Sequence, residues 1–259
     1  IIILENTPFY SESGGQIGDA GIISNDDFSA RVNDTQKNGD YVLHLCSLTN
    51  GAIGDNLTVD CMIDVDRRNK IKINHTATHL LHQSLKDVLG DHVNQAGSLV
   101  HPEYLRFDIT HPKKISLKEL EDIEMIVNQK IVEDITVETS IKSLEEAKKE
   151  GATALFGEKY EDEVRVVTMG KFSKELCGGT HVSSTGKINK FKIKHDKAIS
   201  SGIRRINAIT HNEVDLYLKQ KSEELGLLKE AEKKKEEEKQ NQSILLNNVD
   251  IDSIIKNPI

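Results

Sequence analysis

The hydrophobic pattern of the chain changes its period near residue 66. Before that point, runs in which apolar and polar residues alternate, YVLHL at 41–45 and NLTVDCMI at 56–63, are separated by turn-forming stretches such as NG, NDD and GAIGD. Alternation with a period of two between turns is typical of antiparallel strands. The first 65 residues are therefore predicted to form a small β-barrel or meander.

Beyond residue 66 the apolar residues recur every three to four positions, which predicts an amphipathic helix over residues 66–89. Gly90 follows directly and is a favourable helix C-cap, because glycine tolerates the backbone angles found there. The change of period places a domain boundary near residue 66.

Later helices are predicted from capping boxes, in which a serine is followed three residues later by a glutamate. These are Ser116 with Glu119, before a helix predicted at 117–133, and Ser143 with Glu146, before one at 144–149. β-Branched, alternating runs predict strands at 104–110, 135–141, 164–169, 188–194 and 203–209. Helices mixed with largely antiparallel strands indicate an α+β second domain.

The carboxy-terminal part is predicted to be a long charged helix, from about residue 212 to 240, because it has few apolar residues and many opposite charges three and four apart. The remaining residues, 241–259, have no clear period and are expected to be poorly ordered or cut from their context. Three regions are thus expected: 1–65, 66–210 and 211–259.

Composition narrows the class of protein. The chain has 259 residues, of which 37% are hydrophobic, enough to bury a sizeable core. Cys46, Cys61 and Cys177 are far apart and form no disulfide framework, and no apolar run approaches the roughly 18 residues of a membrane span. We therefore expect a soluble protein of a reducing compartment, which is the cytoplasm or the interior of an organelle. The start, IIIL, lacks an initiator Met and is interpreted as the start of an excerpt or of a processed chain.

Net charge is -8, but the basic residues are concentrated in two places. One cluster comprises Lys187, Lys190, Lys192, Lys194, Lys197, Arg204 and Arg205, with Asp196 as its one acid. The other comprises Arg67, Arg68, Lys70 and Lys72. Each is either a solvated face or a surface for nucleic-acid phosphates.

Histidines and a cysteine have the spacing of metal ligands. His75 and His79 in HTATHLLH lie four residues apart, so on a helix they point the same way. CGGTH supplies Cys177 and His181, and its glycines favour a loop. Thiolate and imidazole are preferred zinc ligands, so the two pairs together predict a zinc site, with His82 at its periphery or on the surface.

Six segments occur in an order that resembles the editing region of alanyl-tRNA synthetases. They are TPFYSESGGQIGD, NHTATHLLH, QAGSLV, LRFD, ALFGEKY and ELCGGTHVSSTG, between about residues 3 and 210. Threonyl-tRNA synthetase editing domains share the two ligand pairs, and free-standing alanyl-tRNA editing proteins also share the amino-terminal glycine-rich segment. The charged helix after residue 211 favours a synthetase fragment that lacks the aminoacylation domain and its ATP site.

The resemblance implies an activity and roles for residues. It implies zinc-dependent hydrolysis of mischarged Ser-tRNA(Ala) and Gly-tRNA(Ala), which a pocket built for alanine excludes poorly. By resemblance, His75, His79, Cys177 and His181 bind zinc, Thr78 hydrogen-bonds the serine hydroxyl, Gln95 contacts the ester or water, and the loop of Gly14, Gly15 and Gln16 faces the cleft. Lys190, Lys192 and Lys194 are candidates for contacts with the tRNA.

Two alternatives from other classes stay open at this point. One is a tRNA-binding module in which the zinc is structural, and the other is an inactive scaffold for the rest of a synthetase. Gly14–Gln16 could also be a glycine-dense turn, since GGQ lacks the pattern of phosphate-binding loops. Arg106 and Asp108 share one face of a predicted strand, where an internal ion pair competes with a role in the cleft.

Overall fold

A computed structural model describes residues 1–54, 58–154 and 160–247, with side chains through residue 239. The fold is α+β with antiparallel sheets, as predicted. The strands are β1 (Ile2–Ile3), β2 (Gly21–Ser24), β3 (Phe28–Asn38), β4 (Tyr41–Gly51), β5 (Asp60–Ile63), β6 (Gln95–Val100), β7 (Leu105–Thr110), β8 (Val137–Ser143), β9 (Glu163–Met169), β10 (Ser173–Leu176), β11 (Phe191–Ser200) and β12 (Ile203–Thr210). The helices are α1 (Val65–Leu89), α2 (Leu117–Val132), α3 (Leu144–Lys149) and α4 (Asn212–Asn247).

Three predicted stretches fall partly outside the described residues. These are the start of the run NLTVDCMI, most of the ALFGEKY motif, and the end of the carboxy-terminal tail.

The amino-terminal strands form a five-stranded antiparallel sheet in the order β1-β4-β3-β2-β5, and the predicted barrel is not closed within the described part of the chain. Barrel closure needs the two edge strands to pair along their length, and β1 has only two residues. One side of the sheet packs around a small core that includes Phe9, Ile23 and Phe28.

The larger core lies between helices and two further antiparallel sheets, β10-β9-β8 and β11-β12-β7-β6. Leu80, Leu81 and Leu85 of α1 pack there with Phe107 of β7 and Ile123 of α2. A smaller core joins α3 to β9 and β10. These contacts hold α1 against β10, whose end carries the CGGTH loop.

Helix α1 begins and ends close to the predicted residues, because both ends are capped. The Asp64 side chain accepts a hydrogen bond from Arg67 N, and Gly90, at φ +109°, donates its N–H to Lys86 O. Its middle differs from the amphipathic pattern, since every residue from 74 to 82 is buried. Polar side chains enclosed in this way need partners inside the protein.

Both predicted capping boxes are present, at Ser116 with Glu119 and at Ser143 with Glu146. The strand predicted at 188–194 instead begins at Phe191, because Thr185–Ile188 forms a 3₁₀ helix. Strands β1, β2, β3, β6 and β10 were not predicted; β3 and β10 carry charged residues that interrupt their alternation.

The charged helix α4 is confirmed, but it continues to Asn247 and so includes the first part of the tail that was expected to be poorly ordered. The chain divides into two compact units, Ile1–Val214 and Asp215–Ile259, and most of α4 belongs to the second. None of the helices in the described ranges combines the length and the apolar character that crossing a bilayer requires.

Candidate metal centre

The two predicted ligand pairs come together in the structure. His75 and His79 lie one turn apart on α1, and Cys177 and His181 lie in the loop that follows β10. One ligand atom from each residue lies within 4.8 Å of the other three. The four residues, called the metal cluster below, form a group that can hold a metal ion.

The donor set fits zinc in both chemistry and spacing. Cys177 Sγ lies 3.4 Å from His75 Nε2 and 3.3 Å from His181 Nε2. Zinc bonds of about 2.3 Å to sulfur and about 2.0 Å to nitrogen, at tetrahedral angles, put such atoms about 3.5 Å apart. Three imidazoles and one thiolate are therefore close to the arrangement that a four-coordinate ion needs.

The CGGTH loop can approach α1 because of one of its two glycines. A Cβ at Gly179 would lie 2.0 Å from His75 Cε1, whereas a Cβ at Gly178 would meet no atom within 4 Å. Arg165 of β9 holds the same loop from the other side, donating hydrogen bonds from Nη1 to the carbonyl oxygens of Cys177 and Gly179. The loop is thus fixed by close contact and by hydrogen bonds.

The outer ring nitrogen of each histidine in the metal cluster has a partner. His75 Nδ1 lies 2.7 Å from Gln16 Oε1, and His181 Nδ1 lies 3.1 Å from Thr76 Oγ1. His79 Nδ1 lies 2.8 Å from a carboxylate oxygen of Glu175, in a direction that is poor for a hydrogen bond. Such partners set the ring orientation and leave the other nitrogen, Nε2, for a metal.

Glu175 is a functional candidate that the sequence reasoning missed. Its side chain is 6% exposed and lies between His79 and His82, whose Nδ1 is 3.1 Å from Glu175 Oε1. His82 is therefore buried beside the cluster, and its Nε2 has no hydrogen-bond partner among the described residues. The sequence did contain a signal for this role, because Glu175 lies two residues before Cys177 in the strand that leads to the CGGTH loop.

Burial and charge shift the protonation of these groups, and the shifts of Cys177 and His181 suit metal binding. Burial alone would raise the pKa of the Cys177 thiol, but His75 and His79 lower it well below its usual range. Burial would likewise lower the pKa of His79, but Glu175 and Cys177 raise it to about 10. Burial, with His75 nearby, lowers the pKa of His181 to about 3. The shifts of Cys177 and His181 favour the ligand forms, thiolate and neutral imidazole, whereas the shift of His79 favours the protonated ring, which must lose its proton before it binds a metal.

Two segments of the chain match known protein families. Residues 164–207 match the family described as the threonyl and alanyl tRNA synthetase second additional domain, and residues 1–67 match class II (A) tRNA synthetases. An alanine–tRNA ligase of Haemophilus influenzae is 50% identical over 216 residues, which are 83% of this chain and 25% of that protein. The chain belongs to the alanyl-tRNA synthetase family. It spans about a quarter of the length of that relative.

The two family matches cover different parts of the site, and His75 and His79 lie outside both. Cys177 and His181 lie within the segment shared with threonyl enzymes, whereas the Gly14–Gln16 loop lies within the class II match. The structure brings the two segments together at His75.

Gln16 reaches the metal cluster from the amino-terminal loop. Its side chain is fully buried, and Oε1 accepts a hydrogen bond from Thr180 N at 2.8 Å in addition to its contact with His75. Gly14 and Gly15 turn the chain with positive φ, and a Cβ at Gly15 would lie 2.7 Å from Ser98 O of β6. The loop therefore serves both as a tight turn and as a support for the CGGTH loop.

Thr78 and Gln95, the residues predicted to contact the substrate, lie on different elements. Thr78 is buried in α1, and its hydroxyl donates to Asn74 O at 2.8 Å, which leaves the oxygen able to accept another hydrogen bond. Gln95 is the first residue of β6 and is partly exposed. Its side chain makes no hydrogen bond within the described ranges.

Several of the basic residues make contacts within the protein. Lys192 Nζ lies 2.8 Å from Glu124 Oε1, while Lys190 and Lys194 are exposed at the start of β11 and just before it. In the other cluster, Arg67 donates to Gly18 O at 2.7 Å, and Arg68 pairs with buried Asp19. Arg67 and Arg68 therefore hold the amino-terminal loop on α1.

Asp108 forms a long ion pair with Arg106 and a closer one with Arg205. Arg205 Nε and Nη2 donate to the two carboxylate oxygens of Asp108 at 2.7 Å each, whereas Arg106 Nε lies 3.9 Å from that carboxylate. Asp108 is therefore used within the sheet formed by β7 and β12.

Proposed function

We propose that this chain hydrolyses the ester of mischarged Ser-tRNA(Ala) and Gly-tRNA(Ala), with zinc held by His75, His79, Cys177 and His181. The observation that carries the proposal is the metal cluster, in which each imidazole is held from behind by a buried partner. Zinc, when bound, supplies Lewis acidity toward an ester carbonyl or a water molecule.

A separate hydrolytic site is needed because an aminoacylation pocket cannot select alanine accurately enough by binding alone. A pocket built for alanine cannot exclude the smaller glycine by size, and one added hydroxyl gives poor discrimination against serine. Hydrolysis at a separate site restores selectivity if that site accepts serine and glycine and spares alanine. The family to which the chain belongs supports this assignment.

The chain's own residues orient the reaction. Gln16, Thr76 and Glu175 fix the rings of His75, His181 and His79, so the ligands need little reorganisation. Thr78 is assigned to the serine hydroxyl, because its oxygen can accept a hydrogen bond after its proton is given to Asn74 O. Gln95 is assigned to the ester, to which its amide offers a donor and an acceptor.

The test is a deacylation assay with Ser-, Gly- and Ala-tRNA(Ala) on the full chain and on Cys177→Ala. We expect about one zinc ion per wild-type chain, hydrolysis of the serine and glycine esters, and sparing of the alanine ester. Cys177→Ala should lose both zinc and hydrolysis. Cys46 is a half-buried cysteine in the amino-terminal sheet, so Cys46→Ala is the matched control. This variant should keep both zinc and hydrolysis. Unchanged zinc content in Cys177→Ala would contradict the ligand assignment.

The cluster also supports a second candidate, a tRNA-binding module with structural zinc, because four protein ligands fill a tetrahedral shell. Chelation separates the two if a thermal melt is recorded on the same sample. Loss of hydrolysis with tRNA binding and the folded signal retained supports the hydrolase. Loss of the folded signal with the metal supports structural zinc.

A further inference from the structure

A cavity of about 520 Å³ adjoins the metal cluster at His181. Its volume lies within the range of about 300–1,000 Å³ that is usual for small-ligand sites. The walls come from α1, β8, β9 and the segment after the CGGTH loop, so the cavity is formed by elements of one compact unit.

The lining of this cavity is basic and contains no acid. Lys72, Arg165 and Lys187 supply three positive charges, and Thr139 and Ser183 supply hydroxyl groups. Within the described part of the chain, neither lysine forms an ion pair with an acid. Asp134 interacts electrostatically with Lys187 without forming an ion pair with it. The Asp134 carboxylate instead accepts a hydrogen bond from Gly186 N at 2.8 Å.

The positive charge of Arg165 is not neutralised by its hydrogen-bond partners. Its Nη1 donates to two carbonyl oxygens of the CGGTH loop, and its Nη2 makes only a 3.4 Å contact with Thr139 Oγ1. These partners are neutral, so the positive charge of the guanidinium is not balanced by them. An anion in the cavity would balance it and the charges of the two lysines.

We infer that this cavity binds the phosphodiester that adjoins the terminal nucleotide of the RNA. The inference rests on the proposed function, since it takes the ester to lie at the metal cluster. An aminoacyl ester sits on the terminal ribose, and the phosphate of the same nucleotide lies at the other side of that ribose. A ligand whose ester reaches the cluster therefore places an anion one sugar away, and the basic cavity bounded by His181 is the neighbouring space.

The test measures binding of an uncharged RNA hairpin with a single-stranded 3′ CCA end, followed by fluorescence anisotropy at several salt concentrations. Lys72→Gln and Lys187→Gln should each lower the affinity about fivefold at 0.1 M salt. Each should also flatten the slope of log affinity against log salt by about 0.7, since one phosphate contact is lost. Lys72→Arg keeps the charge and should retain wild-type binding.

Lys171→Gln is the matched control, because Lys171 is exposed in the turn between β9 and β10, outside the cavity lining. Zinc content and a thermal melt on each variant report whether the fold and the metal cluster survive. If both cavity variants bind like Lys171→Gln, the inference is overturned.

The proposed function can fail separately from the inference. If the wild-type chain binds the hairpin but hydrolyses no ester, the proposed hydrolase activity is rejected. The cavity variants would still test whether the cavity binds a phosphate. Conversely, hydrolysis with KM unchanged in both cavity variants would overturn the phosphate site and keep the hydrolase. If both hold, KM should rise in the variants with kcat little changed, because the lysines act on binding.

Discussion

At Gly179, the space that a Cβ would need is already filled by His75 and by Gln16 Oε1, at 2.0 and 2.9 Å. Its backbone does not require positive φ, so the demand is for volume and not for conformation. Gly178, its neighbour in the same loop, has no such restriction. The two glycines of CGGTH are therefore different in role although they look alike in sequence.

Gly179→Ala should displace His75 or the loop and weaken zinc binding about 10- to 100-fold, the range found when support of a ligand is disturbed. Gly178→Ala should bind zinc like the wild type. Competition with a chromophoric chelator measures both affinities. Equal weakening in the two variants would show that loop flexibility, and not the contact with His75, matters.

Thr78 is the residue at which substrate selectivity can be tested. Thr78→Val keeps the β-branched shape and removes the oxygen, so kcat/KM for Ser-tRNA(Ala) should fall. One buried hydrogen bond is worth about 0.5–1.5 kcal/mol, or roughly 2- to 13-fold in rate. Hydrolysis of Gly-tRNA(Ala) should change less, because glycine has no hydroxyl.

The ratio of the two rates separates this role from damage to the metal cluster. A weakened cluster slows both substrates together, and zinc content on the same sample reveals it. If Thr78→Val retains zinc and the wild-type ratio, the threonine only packs within α1, and Gln95 becomes the next candidate.

At the scale of elements, the amino-terminal loop is held on α1 by a buried ion pair. Arg68 Nε donates to Asp19 at 2.8 and 2.9 Å, Arg68 Nη2 also contacts this carboxylate, and Asp19 accepts from Tyr10 N at 2.7 Å. The Asp19 side chain is 2% exposed. This pair fixes the loop that delivers Gln16 to His75.

Arg68→Ala should lower the free energy of unfolding by about 3–5 kcal/mol, because it leaves a buried carboxylate without its partner. Urea denaturation of the zinc-loaded chain measures the change. Lys118→Ala, which removes one partner of the exposed pair with Asp122, is the control and should have little effect. A similar small effect of Arg68→Ala would show that the loop is held mainly by its other contacts.

At the scale of the whole molecule, net charge of -8 opposes binding of a polyanion, so any tRNA contact must be local. The lysines at and near the start of β11 are the candidate surface. Lys192 is paired with Glu124, which also accepts a hydrogen bond from Ile193 N at 3.0 Å. Because this ion pair holds β11 on α2, Lys192 is expected to contribute less to phosphate binding.

The double variant Lys190→Gln/Lys194→Gln should weaken binding of tRNA(Ala), because both lysines are exposed and carry positive charge. If both lysines contact duplex phosphates, the slope of log affinity against log salt should flatten by about 1.8. Filter binding at several salt concentrations measures it. Affinity and slope equal to those of the wild type would leave these lysines as a solvated face.

Local signals determined much of the fold. The cap at Gly90 and the two serine capping boxes act through hydrogen bonds within a few residues, so sequence alone located these helix ends closely. The strands β7, β8, β9 and β12 were found for a similar reason, since alternation is written in adjacent residues. The grouping of His75, His79, Cys177 and His181 was also predicted, because zinc restricts which residue types can bind it.

Tertiary structure alone decided what surrounds those ligands. Gln16 reaches His75 from the amino-terminal loop, and Glu175 of β10 reaches His79 of α1, so both contacts depend on how remote segments pack. Nothing in the local sequence of Arg165 marks its contact with the CGGTH loop. The open edges of the amino-terminal sheet depend on which strands pair, which alternation does not specify. Local sequence thus specifies the helices and the spacing of the two pairs of histidine and cysteine residues, whereas packing between remote segments decides what these residues contact, the burial of α1 and the basic cavity beside His181.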